Sequence, residues 1–249
     1  MATITEVGRP GARPSKAVAA AARWFFFAMA IVMAGFVAYG FSLTVNDSLL
    51  RPKIARPPIL WVHAFLMSAW LALFVVQTGL ARARKVTWHR ALGLWSLAIG
   101  IAIPLVGVPT AFVMRRFDID HFHDRLNFIA VPLTDMLLFS GFFAVAALNR
   151  RVPEIHRRAM FMATLSVIDA GIGRWPVPDA WFNAGWYCLV IDGLVVLAIV
   201  RDLVTIKRVH PVFAWGLPAM IAVQLASLWL WHSPPTPWLA FLRGIVGAG

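Results

Sequence analysis

Seven histidines are spread through this chain, and four histidine positions fall just inside the ends of four consecutive apolar segments. His63 opens the second segment, His89 the third, His121 or His123 the fourth, and His156 the fifth. If the segments are helices that run up and down through a bilayer, His63 and His121 or His123 share one face. His89 and His156 then share the other. Two imidazoles at one depth on next-but-one helices can hold a haem iron between them, which is the ordinary ligation of an electron-transfer haem b. Taken one at a time, the same histidines are interfacial anchors beside arginine and tryptophan.

A second set of residues is costly where it stands. Asp135, Asp169 and Asp192 lie well inside apolar segments, where an Asp at a helix centre costs about 2.5–3.5 kcal/mol on insertion. At about 1.5 Å of rise per residue they sit in the outer half of the bilayer, down to its midplane. Arg174 follows Asp169 by one to two turns. If the fourth, fifth and sixth segments pack together, these four charges form one buried polar pocket, with Asn127, Thr134 and Gln77 extending it. Such a pocket suits a proton relay, a cation-coupling site or a polar substrate. The alternative is a set of paired or neutralised groups that join helices by hydrogen bonds.

The elements that must position these residues follow from composition. The chain has 249 residues, 60% hydrophobic and 14% charged, with mean hydropathy +0.75. Soluble domains carry about 45–50% apolar and about 25% charged residues, and a span needs about 20 apolar residues. The predicted fold class is therefore all-α: a polytopic membrane helix bundle of about seven transmembrane helices. The spans are placed at 24–45, 58–81, 90–114, 125–148, 157–174, 183–200 and 212–232. They form one domain, 24–232, between an N-terminal tail, 1–23, and a C-terminal tail, 233–249. The first 22 residues lead into a long apolar run without a small-residue cleavage site, which predicts an uncleaved first span.

Charge sets the orientation. Of the 23 basic residues, alternate assignment puts 15 on the side of the N-terminus and 8 on the other. The positive-inside rule then predicts a cytoplasmic N-terminus and an external C-terminus. The net charge of +12 is spread over short loops, leaving no contiguous surface for nucleic acid. Trp61, Trp88, Trp175, Trp181, Trp215, Trp231 and Trp238 fall near span ends, as an aromatic belt requires. Pro104, Pro109 and Pro132 should kink their spans. The Ser233-Pro-Pro-Thr-Pro237 stretch breaks the chain before a short apolar tail that lies on the outer surface.

Several chemistries are excluded or left open. Cys188 is the only cysteine, so there is no intrachain disulfide, no Cys-pair haem attachment and no zinc–thiolate cluster. Lys16, Lys53, Lys85 and Lys207 all lie outside the spans, so no buried amine is offered for a Schiff base. The histidines are split between faces, unlike a three-histidine zinc hydrolase. The absence of two similar halves argues against inverted-repeat carriers. The external loop from Asp118 through Asp120, His121 and His123 to Asp124 holds five metal-competent side chains, and the reading preferred for it is a solvated polar loop.

Two resemblances follow from these residues. Over about residues 58–175, the order and depth of the histidines are similar to the ascorbate-reducible di-haem b-type transmembrane cytochromes. That resemblance implies haem b held by His63 with His121 or His123 and by His89 with His156. It also implies electron transfer to a quinone or an external partner. The strings Trp88-His-Arg-Ala-Leu-Gly93 and His156-Arg-Arg-Ala-Met-Phe-Met-Ala-Thr164, followed by Arg174, resemble an uncharacterised family of bacterial multi-pass membrane proteins. This second resemblance implies the bacterial cytoplasmic membrane and no particular activity. A non-catalytic role as a subunit of a larger membrane complex is the third class of function.

Overall fold

Six of the seven predicted spans fall on long helices in the computed structural model, which describes residues 16–123 and 125–247, with side chains from residue 23. The predicted tail before Lys16 and the loop residue Asp124 lie outside the described residues. In chain order the helices are α1 (Lys16–Ser42), α2 (Ile59–Arg82), α3 (Val86–Phe122), α4 (Ala130–Leu148), α5 (Pro153–Leu165), α6 (Asp169–Ile172), α7 (Asp179–Asn183), α8 (Trp186–Ile206), α9 (Pro211–His232) and α10 (Thr236–Val246). A 3₁₀ turn, Leu126–Ile129, leads into α4. Among the described residues there is no β-strand.

Five of these helices are long and apolar enough to cross a membrane: α1, α2, α3, α4 with its leading turn, and α9. The protein is thus an all-helical membrane protein. Its outer face agrees, because Leu94, Trp95, Leu105, Leu189 and Trp215 are each about two-thirds exposed or more. In water that surface would be an adhesive patch, whereas in lipid it is the solvent-matched face. α8 has the length of a span but carries Asp192, Arg201 and Asp202. α3 runs for 37 residues without stopping at Pro104 or Pro109. That is about 55 Å of helix against a hydrocarbon core of about 30 Å, so an upright α3 projects beyond it.

The predicted fifth span departs most from expectation. It is a broken element, α5 followed by an irregular turn and the single turn of α6. It is also the most enclosed part of the chain, since residues 161–169 are all buried. Phe161, Met162, Leu165 and Ile168 fill the main core together with Met33, Val195, Phe213 and Met220 from α1, α8 and α9. A second cluster, Trp70, Ile103, Met136, Phe139 and Phe143, joins α2, α3 and α4.

Small residues bring these elements together. A Cβ on Gly40 of α1 would stand 1.9 Å from the Gly171 carbonyl oxygen of α6, and one on Gly171 would stand 2.7 Å from the Val37 Cα. The two backbones touch, which is the packing expected where lipid supplies no hydrophobic drive between helices.

An ion cluster ties α5 to α8. Arg158 has no exposed surface, and it forks onto Asp202 with Nε at 2.8 Å and Nη2 at 2.6 Å. Its Nη1 donates to the Glu154 carboxylate at 2.6 Å and to the Glu154 carbonyl at 2.9 Å. Arg201 reaches Asp202 at 2.8 Å. Sequence reasoning treated Arg158 as an orienting loop charge, whereas the fold buries it as a bidentate clamp.

The tail beyond Pro235 forms α10. Leu242 and Val246 turn inward while Phe241 and Ile245 remain exposed. Arg116, near the end of α3, donates to the carbonyls of Val246 and Gly247.

Candidate functional site

The break between α5 and α6 builds the site. Ser166 turns its hydroxyl onto the Ala163 carbonyl at 2.8 Å, the local alternative that serine offers to helical bonding. The β-branched Val167 and Ile168 and the glycines Gly171 and Gly173 add little helix propensity. Turn bonds still satisfy the buried backbone: Ser166 N–H donates to Met162, Val167 to Thr164, Ile168 to Leu165 and Gly171 to Ile168. Irregular backbone at this depth is tolerated because protein surrounds it on all sides.

Asp169 begins α6 immediately after that break and is buried. Its carboxyl group is hydrogen-bonded to the carboxyl of Asp135 on α4. A bond between two carboxyls requires a proton between them, since like charges at that separation do not both ionise. The guanidinium of Arg174 lies within electrostatic reach of Asp169. It is fixed by the Ala170 carbonyl and by the Phe41 ring, whose centroid is 4.1 Å away. His63 from α2 is within the field of Arg174. Tyr187 and Cys188, in the first turn of α8, lie in the field of both carboxyls. The centre is thus a carboxyl pair with one cation, edged by an imidazole, a phenol and a thiol.

Sequence reasoning named three of these groups for a shared pocket: Asp135, Asp169 and Arg174. It assigned His63 to an iron and passed over Tyr187, a buried tyrosine among apolar residues that marks a need for polar company. Asp192 does not join the pair. It faces α9, where it is hydrogen-bonded to Gln224, and its Oδ1 has no partner among the described residues. The expected polar extension is also spent elsewhere. Gln77 donates to the His89 carbonyl at 3.2 Å and to Ser96 Oγ at 3.1 Å. Asn127 donates to the Trp231 carbonyl. Thr134 bonds within its own helix, to the Ala130 carbonyl at 2.9 Å.

The two histidine pairs fare differently. His89 and His156 come within electrostatic range of each other. His156 Nδ1 contacts the Ala146 carbonyl at 2.8 Å, which turns Nε2 away from that bond. His89 Nδ1 is buried without a hydrogen bond among the described residues. His63 and His121, by contrast, are held at different depths. Gln77 lies level with Ser96 across the antiparallel pair α2 and α3, which puts His63 level with about Thr110. His121 is then about 16 Å further along the axis at helical rise. Two imidazoles sharing one iron need their nitrogens about 4 Å apart.

His121 and His123 also do not open the fourth span. His121 closes the last turn of α3, with Nδ1 at 2.9 Å from the Phe117 carbonyl and its ring stacked on Phe117. His123 follows in a left-handed conformation with φ 54°. The loop carboxylates are occupied, Asp118 by Arg56 at 3.0 Å and Asp120 by Arg116 at 2.7 Å. Among the described residues no group of three or more His, Cys, Asp or Glu side chains converges as a metal site would.

Two groups outside the spans respond to the α5–α8 cluster. Burial opposes ionisation of Glu154, but the Arg158 hydrogen bond and the charges of Arg157 and Arg158 prevail and hold its carboxyl below the usual range. His210 caps α9 by accepting from the Val212 N–H at 3.2 Å. Burial first, and the charge of Arg158 second, push its imidazole below the usual value. No family model, curated protein or solved structure matches the chain.

Proposed function

We propose that this chain is a seven-span protein of the bacterial cytoplasmic membrane that moves protons through the Asp135–Asp169 pair, as a proton-coupled carrier would. α5 from Arg157 onward, with α6, serves as the fifth span and α8 as the sixth, with the N-terminus cytoplasmic on the charge bias. One observation carries the reading: a carboxyl–carboxyl hydrogen bond placed in the break of a discontinuous helix. Broken helices at mid-depth are where transporters build coupling sites, and intramembrane carboxyls are costly unless they work.

The chemistry follows from charge. A pair that holds one proton carries one negative charge, which Arg174 balances. A second proton neutralises the pair and leaves Arg174 uncompensated, so the site then favours an anion. His63 and Tyr187 flank the path on which protons arrive or leave. Purified protein in proteoliposomes with an entrapped pH dye tests this. An imposed membrane potential should acidify or alkalise the lumen faster than in protein-free vesicles. Asp135→Asn and Asp169→Asn should abolish the difference while keeping the unfolding temperature. Wild-type vesicles no faster than empty ones, or Asn variants as fast as wild type, would refute it.

A second reading rests on His89 and His156, which lie within electrostatic range of each other with His156 anchored through Nδ1. We infer that these two imidazoles hold a single haem b, which passes electrons to a quinone or an external partner. A reduced-minus-oxidised spectrum of protein from haem-replete cells decides it: His156→Ala should remove the signal, and a colourless wild type ends the reading.

A further inference from the structure

The end of the bundle where α2 turns into α3 carries cations and no acids. Arg82 closes α2, Arg84 and Lys85 form the turn, and Arg90 lies one turn into α3. No acidic residue occurs in α1 or α2, nor in α3 before Asp118 near its far end. Among the described residues, the acids at this end of the bundle are Glu154 and Asp202, and both are held by Arg157, Arg158 and Arg201. Arg84, Lys85 and Arg90 are exposed. Among the described residues no ion pair forms on any of the four cations. The Arg82 guanidinium lies 3.8 Å over the Trp24 ring of α1, and its Nε has no hydrogen-bond partner. Stacking uses the face of the guanidinium and leaves the N–H groups along its edge to grip an anion. Lys85, the N-cap of α3, makes no side-chain cap, and the first turn of α3 holds no acid. The positive end of that helix therefore adds to the same field.

We propose that this end of α2 and α3 binds the phosphate headgroup of an acidic phospholipid, with Arg82 as the fork and Arg84, Lys85 and Arg90 around it. The occupant is a lipid because of where the cations stand. α1, α2 and α3 are membrane-length helices. Trp24 and Trp88, which flank the cluster, are 48% and 66% exposed, as rings at headgroup level are. Cations just beyond a span draw acidic lipids to them. A zwitterionic headgroup brings its own cation, which the same charges repel. The inference needs only the membrane class and these helix ends. It stands whichever way the protein faces and whether or not the carboxyl pair moves protons.

Native mass spectrometry of the detergent-purified full chain tests it, titrated with phosphatidylglycerol or with phosphatidylcholine of the same acyl chains. Each cation near a headgroup contributes about fivefold, so two on one phosphate predict phosphatidylglycerol held about twentyfold more tightly. Arg82→Gln should cut that preference about fivefold, and Arg82→Lys should recover part of it. Joint Arg84→Gln, Lys85→Gln and Arg90→Gln should cut it about fivefold or more, with an unchanged unfolding temperature in lipid-free detergent. Arg116→Gln, at the far end of α3 and paired with Asp120, should leave the preference intact. Equal retention of the two lipids, or a preference untouched by both the Arg82→Gln and the triple replacement, would overturn the assignment. So would displacement of the lipid by millimolar inorganic phosphate, which would mark a site for the free ion.

Discussion

The contact between Gly40 and Gly171 gives a direct test of whether the broken helix positions the carboxyl pair. In Gly40→Ala the new methyl would lie 1.9 Å from the Gly171 carbonyl oxygen, where a carbon–oxygen contact needs about 3.3 Å. α1 and α6 must therefore part by about 1.4 Å. α6 has only four residues and starts at Asp169, so the displacement is passed to that carboxyl with nothing to absorb it. A carboxyl pair at a normal separation of about 2.7 Å would open past about 4 Å, beyond any hydrogen bond. Overpacking of this kind costs about 1–3 kcal/mol, and a misplacement of about 1 Å can cost about a hundredfold in rate. Gly35→Ala is the control on the same helix, since a Cβ there meets nothing within 4 Å. Two readouts are needed: thermal unfolding in detergent, and the infrared carbonyl band of the shared carboxyl proton, assigned by its loss in Asp135→Asn. Gly40→Ala should lower the first and shift or abolish the second, while Gly35→Ala should change neither adversely. If the two variants behave alike in both measurements, the positioning argument is wrong.

Other expectations follow from the charges. Asp202→Asn removes half of the fork on a fully buried Arg158 and should destabilise the protein by about 3 kcal/mol in detergent unfolding. The double replacement Arg158→Met with Asp202→Leu should cost less than that single change, because no buried charge is left over. Glu154 has a depressed carboxyl in the folded state, so its contribution is complete above about pH 4.3 and is lost as pH falls through its lower folded value. His210 is also depressed, so the unfolded chain takes up its proton first and stability falls as pH drops below about 6.5. The unfolding temperature should therefore decline in two stages on acidification. His210→Asn should flatten the upper stage and Glu154→Gln the lower, and a melting temperature constant from neutral to acid pH would contradict both assignments.

The membrane class and most helix positions were legible because they depend on composition averaged over about 20 residues: six of the seven spans placed from the sequence fall on long helices, while the fifth is broken after Leu165. Depth and partnership were not legible to the same degree, and the reason is physical. The alternation of histidines along the chain says which end of a helix each one is near, but not how far a helix continues past its apolar stretch. Because α3 continues to Phe122, His121 moved from the start of one span to the far end of another. The break at Ser166–Ile168 was hidden because residues 157–174 average to an apolar segment, although Ser166, Asp169, Gly171 and Gly173 in sequence mark a run with poor helix propensity. Arg158 looked like its neighbours Arg150, Arg151 and Arg157, since a basic residue next to a span reads as solvated until its partner is known, and Asp202 lies 44 positions away. The carboxyl pair is a partial exception. Asp135, Asp169 and Asp192 all stood out because an acidic residue at that depth is costly, but cost does not say which of them meet: the fold pairs Asp135 with Asp169 and leaves Asp192 on Gln224.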